Sequence, residues 1–131
     1  MSVTSVDGVV TQLSPRSVTE TVARFETLLH EHGLTEFAVF DHSGAAAENG
    51  LELRDTKVVV FGSPVAGTPV MEAAPLAALD LPLKVLIWAD GDQTKVSYVA
   101  PGTLAARYGL SDDLAARLAG IEPLTSALVD G

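Results

Sequence analysis

Thr56-Lys57-Val58-Val59-Val60-Phe61-Gly62-Ser63-Pro64 decides how this chain folds. Three valines and a phenylalanine in succession are rich in β-branched residues and too short for a buried helix, so they read as a strand. Gly62-Ser63-Pro64 breaks it. A strand with one wet face alternates apolar and polar residues, whereas Val58 to Phe61 is apolar on both faces and needs cover on both. Upstream, Glu36 to Asp41 repeats this composition in Phe37-Ala38-Val39-Phe40. Downstream, Leu83 to Ala89 and Lys95 to Val99 flank Asp90-Gly91-Asp92 and read as a β-hairpin. With Gly91-Asp92 as the turn, Val85 faces Tyr98 and Ile87 faces Val96. The hairpin's other face sets Leu86 and Trp88 opposite Ser97 and Lys95.

The remaining elements follow from caps and breakers. Val9 to Leu13 is a first strand, with Val3 to Val6 as a frayed partner. Ser17 and Glu20 have the spacing of a capping box, and Val18, Val22, Phe25 and Leu29 form one apolar stripe on the helix that follows. Gly33 ends that helix. Ser43 caps a short alanine-rich helix that stops at Gly50. Thr68 reads as a cap with Pro69 at the first helical position, opening a helical segment that Pro75 and Pro82 interrupt. Beyond Pro101 the chain is helical: Thr103 to Tyr108, then Ser111 capping Asp112 to about Ala119, then Pro123 to Val129. The expected order is β-α-β-(α)-β-α-β-β-α-α: a single α+β domain over residues 1–131, with a sheet of about five strands and helices packed on it.

Composition narrows the chemistry. The 131 residues hold no cysteine, which excludes disulfides, iron–sulfur clusters, thiolate zinc sites and a cysteine nucleophile. Eight basic against 17 acidic side chains give a net charge of −9, so nucleic acid is not an expected partner. The longest uncharged stretch, Val58 to Met71, is too short for a bilayer and holds two glycines and two prolines; neither a membrane nor a signal peptide is expected, and the location is read as cytoplasmic. Strands that are apolar on both faces imply that helices divide between the two faces or that a second subunit covers one. The reading favours a homodimer over a monomer whose C-terminal helices wrap the second face. Tyr98 belongs in the core, and Trp88 under a helix or in a subunit contact.

The candidate site is the cluster Asp41, His42, Phe61, Gly62, Ser63, Pro64, Thr68 and Met71. If the strands ending at Asp41 and Phe61 run parallel, their C-terminal ends bring these groups to one edge, where ligands of open α/β sheets bind. His42 could exchange a proton near neutral pH with Asp41 fixing its tautomer. The run Gly62 to Thr68 imitates a phosphate-binding loop but lacks its lysine, and Pro64 and Pro69 remove two amides; a tight turn with a helix cap is the simpler reading. His30 and His32 point about 200° apart on their helix and cannot share a metal.

Phe61-Gly62-Ser63-Pro64, Gly67-Thr68-Pro69-Val70-Met71 and Ala78-Leu79-Asp80-Leu81-Pro82-Leu83-Lys84-Val85-Leu86 occur in an order and spacing that resemble the family called domain of unknown function 302. Asp41-His42, Ala47-Glu48-Asn49-Gly50-Leu51, Trp88, Tyr98 and Pro101 fit as well, so the resemblance runs from about Val18 to Leu110. One departure is Ser63, where the family often has Asn. The resemblance implies a small α+β domain that pairs as a dimer, and it carries over no activity, substrate or catalytic residue.

Two functions follow as expectations. The favoured one is a non-catalytic homodimeric module that binds a small-molecule ligand or a protein partner at the edge holding His42 and Phe61 to Pro64. The alternative is a metal-independent hydrolase or isomerase with His42 as general base, assisted by Asp41 or Ser63. Neither a cofactor nor a metal is expected.

Overall fold

A computed structural model describes residues 6–131. The strands are β1 (Val9–Ser14), β2 (Thr35–Asp41), β3 (Thr56–Gly62), β4 (Leu83–Asp90) and β5 (Gln93–Val99). The helices are α1 (Val18–Glu31), α2 (His42–Glu48), α3 (Pro64–Ala73), α4 (Pro101–Tyr108), α5 (Asp112–Ala116) and α6 (Ile121–Val129), with a 3-10 turn at Pro75–Asp80. The frayed partner expected at Val3 to Val6 lies outside the described residues, apart from Val6, which belongs to no strand. The α+β class and a sheet of five strands are as the sequence predicts, in the order β1-β5-β4-β3-β2.

Local chemistry places the first helix and the hairpin. Ser17 Oγ accepts from the Glu20 amide at 3.1 Å, and the Glu20 carboxylate accepts from the Ser17 amide at 3.2 Å. That amide, with the Ser17 hydroxyl, holds the Glu20 carboxyl below its usual range. Gly33 adopts φ +67°, where a side chain would be strained. In the hairpin Leu86 pairs with Ser97, Ile87 with Val96 and Trp88 with Lys95, the register that the Gly91-Asp92 turn predicts.

The core forms on one face of the sheet. Val59, Phe61, Val85, Ile87, Val96 and Tyr98 meet Val18, Val22, Phe25 and Leu29 of α1 and Ile121, Leu124 and Leu128 of α6. Phe25, fully buried, stands edge-on to Phe61 with ring centroids 5.2 Å apart. A smaller cluster of Val70, Ala77, Leu104 and Leu118 joins α3, the 3-10 turn, α4 and the turn just after α5, with Leu114 of α5 packed against it. There Asp80 accepts from Tyr108 and Arg107, which together hold its carboxyl below the usual range.

The C-terminal helix therefore shares a face with α1 and does not wrap the second one. That second face carries Ala38, Phe40, Val58, Val60, Leu86 and Trp88, and Phe40 is 53% exposed. Trp88 donates from Nε1 to Ser97 at 3.0 Å and lies beneath the Lys95 ammonium, 5.1 Å from the ring centroid. The second strand was expected to be an inner one covered on both sides. It is instead an edge strand, and Phe37 and Val39 are exposed along with Phe40.

Two caps differ from the sequence reading. Asp41, not Ser43, caps α2: its carboxylate accepts from the Gly44 amide at 2.9 Å, while Ser43 Oγ donates to Asp41 and Asp55. Helix α3 begins five residues early. Ser63 is its cap and Pro64 its first residue, which fits because a first-turn amide has no helical partner to lose. Thr68 and Pro69 lie inside this helix, where Pro69 cannot donate to the carbonyl of Val65, a residue 82% exposed and open to water. Helix α5 also stops at Ala116 and not near Ala119.

Glu36 of β2 faces Glu26 of α1. The hydrogen bond between their carboxyls, with some burial and their mutual repulsion, raises Glu36 to about 7. A proton held more tightly in the folded chain makes stability fall as pH rises from the ordinary value of 4.5 to about 7. Glu36→Gln should therefore raise Tm more at pH 8 than at pH 5. The gain should stay under about 1 kcal/mol, since the pair is solvent-screened. Equal gains at both pH values would show that the two carboxyls share no proton.

Candidate ligand-binding cleft

At the end of β3 the chain turns through Gly62 and Ser63 into α3, and this turn forms the floor of a cleft. A first lobe of about 210 Å³ lies between Phe37, Ser63, Thr68, Met71, Leu83 and Arg117. A second of about 330 Å³ lies between His32, Leu34, Phe61, Arg117, Ile121 and Leu124. Gly62, Ser63, Ala66, Leu83 and Arg117 border both, so the lobes adjoin across Arg117.

Each wall has a local cause. The β2 ladder shifts register between Glu36 and Ala38, leaving Phe37 out of the pairing and beside Gly62. A Cβ built on Gly62 would sit 3.6 Å from both Phe37 Cε2 and Pro82 Cβ, so a larger side chain here would project into the first lobe's wall. Gly67 leaves open the space beside Met71, whose Cε would lie 3.8 Å from a Cβ there. Arg117 follows the last residue of α5, where exposed carbonyls favour a cation. His32 donates from Nδ1 to the Leu28 carbonyl, 2.8 Å away, at the end of α1.

The structure gathers only part of the sequence-derived cluster. Gly62, Ser63, Pro64, Thr68 and Met71 line the first lobe, and Phe61 lines the second. Asp41 and His42 are elsewhere. Strands β2 and β3 run antiparallel, with Asp41 beside Lys57 and Thr35 beside Gly62. Five residues of strand, about 17 Å, therefore separate Asp41 from Gly62. His42 is exposed as the first residue of α2, and the Asp41 carboxylate is engaged by the Gly44 amide, Ser43 and Lys57, which lower its pKa. The expected assistance of His42 by Ser63 is thus not assembled. Thr68 lies within α3, so the resemblance of Gly62 to Thr68 to a phosphate loop ends in a helix that has already begun.

Sequence reasoning missed Phe37, Leu81 to Leu83, Arg117 and Leu118 as wall residues. Nothing local marks them. A bulge aims Phe37, and Arg117 arrives from a helix more than fifty residues downstream of Ser63.

The profile of a family described as "Domain of unknown function DUF302" matches residues 10–127. The chain belongs to the DUF302 family. A crystal structure of an uncharacterised conserved DUF302 protein from Bacillus stearothermophilus superposes with a TM-score of 0.81, covering 95% of this chain and 98% of that one. At 21% identity this likeness concerns the fold. Two curated relatives are each 38% identical over 111 residues: Fluoride-specific ion channel FluC 1 of Brucella suis biovar 1 and that of Brucella abortus biovar 1. The match covers 82% of this chain but only 44% and 41% of those proteins, so the DUF302 chain spans less than half of each. Among its described residues no helix is long and apolar enough to cross a membrane.

Proposed function

We propose that this protein is a non-catalytic, cytoplasmic module that works as a homodimer and takes a small molecule into the cleft beside Ser63. The observation that supports binding is the cleft itself. Its walls are apolar and carry few polar groups, chiefly Ser63, Thr68 and Arg117, the usual composition of a small-ligand site. The cap at Ser63 fixes the floor, and the smaller core cluster fixes the α3 and α5 walls, so the cavity exists before a ligand arrives. The channel activity named for the longer relatives is not part of this reading. Among the described residues the helices are 14 residues or shorter, whereas a membrane span takes about 20.

Self-association is supported by β2 and the second sheet face. An unpaired edge strand with three exposed large apolar residues is a template for another chain, and a two-fold axis would let one patch cover its own copy.

A thermal-shift screen against metabolites tests the binding reading. A ligand at about 100 times its Kd adds about 2.7 kcal/mol of stability and raises Tm by several degrees. Gly67→Leu should fill the first lobe and abolish that shift while leaving the far-ultraviolet circular dichroism unchanged. A shift that persists in Gly67→Leu would place the ligand elsewhere on the molecule.

A further inference from the structure

We infer that the cleft accepts a small apolar monocarboxylate, with the carboxylate on Arg117 and the hydrocarbon body in the lobe between Phe37, Met71 and Leu83. This rests on the reading of the cleft as a binding site. The charge distribution carries it. The chain has 17 acidic side chains and a net charge of −9, yet no aspartate or glutamate lines either lobe. Arg117 is the one charged side chain bordering both lobes.

Arg117 is the only arginine that lines the described cleft, and like Arg24, which lies outside it, it is not engaged by a carboxylate. Arg54 pairs with Asp90, Arg107 with Asp80, and Arg16 donates to the carbonyls of Leu128 and Asp130. Arg117 enters no ion pair among the described residues and is exposed at the rim. A free guanidinium presents a planar fork of donors that fits a carboxylate through two parallel hydrogen bonds. A head group held there stays near water, while the body passes inward over Leu83 and Phe37.

Size and charge narrow the class further. A first lobe of about 210 Å³ lies below the range of roughly 300–1,000 Å³ for drug-sized ligands, so the body is an aryl ring or a short alkyl chain. One guanidinium balances one negative charge. A dianionic phosphate would bring a second charge into the field of an acidic chain with no second arginine or lysine lining the cleft.

Calorimetric titration with octanoate below its micellar concentration tests the assignment, with octan-1-ol and octylamine as neutral and cationic counterparts. One octanoate should bind per chain, at least tenfold more tightly than either counterpart. Arg117→Gln should weaken octanoate at least tenfold and erase its advantage over octan-1-ol. Arg117→Lys should keep part of the advantage, because charge remains while the fork is lost. Octanoate binding unchanged in Arg117→Gln, octylamine binding as tightly as octanoate, or no saturable octanoate binding would each overturn the inference. A neutral or cationic compound whose binding Gly67→Leu blocks would overturn the carboxylate assignment and leave the cleft standing as the site. Octanoate binding that Gly67→Leu leaves intact would remove both.

Discussion

Replacing Phe40 with aspartate should halve the mass of the particle in solution, from twice the 13.6 kDa of one chain to that value itself. Phe40 lies on the edge strand and also on the second sheet face, next to Val58, so it belongs to both surfaces offered for self-association. In the single chain its ring is 53% exposed, and its removal should cost the monomer only about 1 kcal/mol of burial. In a dimer the same position would bury a carboxylate against its own copy, and two like charges across a two-fold axis oppose assembly. Light scattering at micromolar concentration should therefore separate the two proteins cleanly. Circular dichroism should show both folded. A wild-type mass of 13.6 kDa would remove the homodimer, and a Phe40→Asp dimer would move the interface away from β2.

The largest loss of stability is expected at Phe25. Phe25→Ala removes a ring with no exposed surface from between α1 and β3 and leaves Phe61 without its edge-on partner. Truncations of this kind cost about 3–5 kcal/mol, a large part of the roughly 5–15 kcal/mol that holds a domain together. Urea unfolding should show the midpoint falling with the slope unchanged. Val39→Ala is the internal comparison, since that side chain is 37% exposed on the edge strand and should cost under about 1 kcal/mol in the monomer. Similar losses at both positions would mean that the core is not centred on α1 and β3.

Much of the fold was legible because its instructions are local. Ser17 and Glu20 lie three residues apart and satisfy each other, and Gly91-Asp92 sets the hairpin register within a few residues of the turn. The direction of β2 was not legible. It depends on how α2 and residues 49–55 return the chain to the sheet, and no residue in β2 states whether its neighbour is parallel. That one ambiguity divided the candidate site, because reversing β2 carries Asp41 and His42 to the far end of β3 while Phe61 to Pro64 stay in place. Two Ser/Thr-Pro pairs competed to start α3, and propensity alone does not rank Ser63-Pro64 against Thr68-Pro69. Arg117 was invisible for a different reason. Its importance comes from what surrounds it in space, an apolar cleft without a carboxylate, and not from any motif around residue 117.

The strand order also constrains the sequence of events by which the chain assembles. Strands β2, β3, β4 and β5 are laid down in the order in which they pair, so each finds its neighbour as soon as it is made. Strand β1 does not. Its partner is β5, and Val9 pairs with Val99, so the first strand synthesised waits for the last. Until then β5 presents an open flank, and the α6 contacts with β1 and α1 have no complete surface to close upon. That pairing closes the longest loop in the sheet and so costs the most chain entropy, and it converts a four-strand meander into the finished sheet.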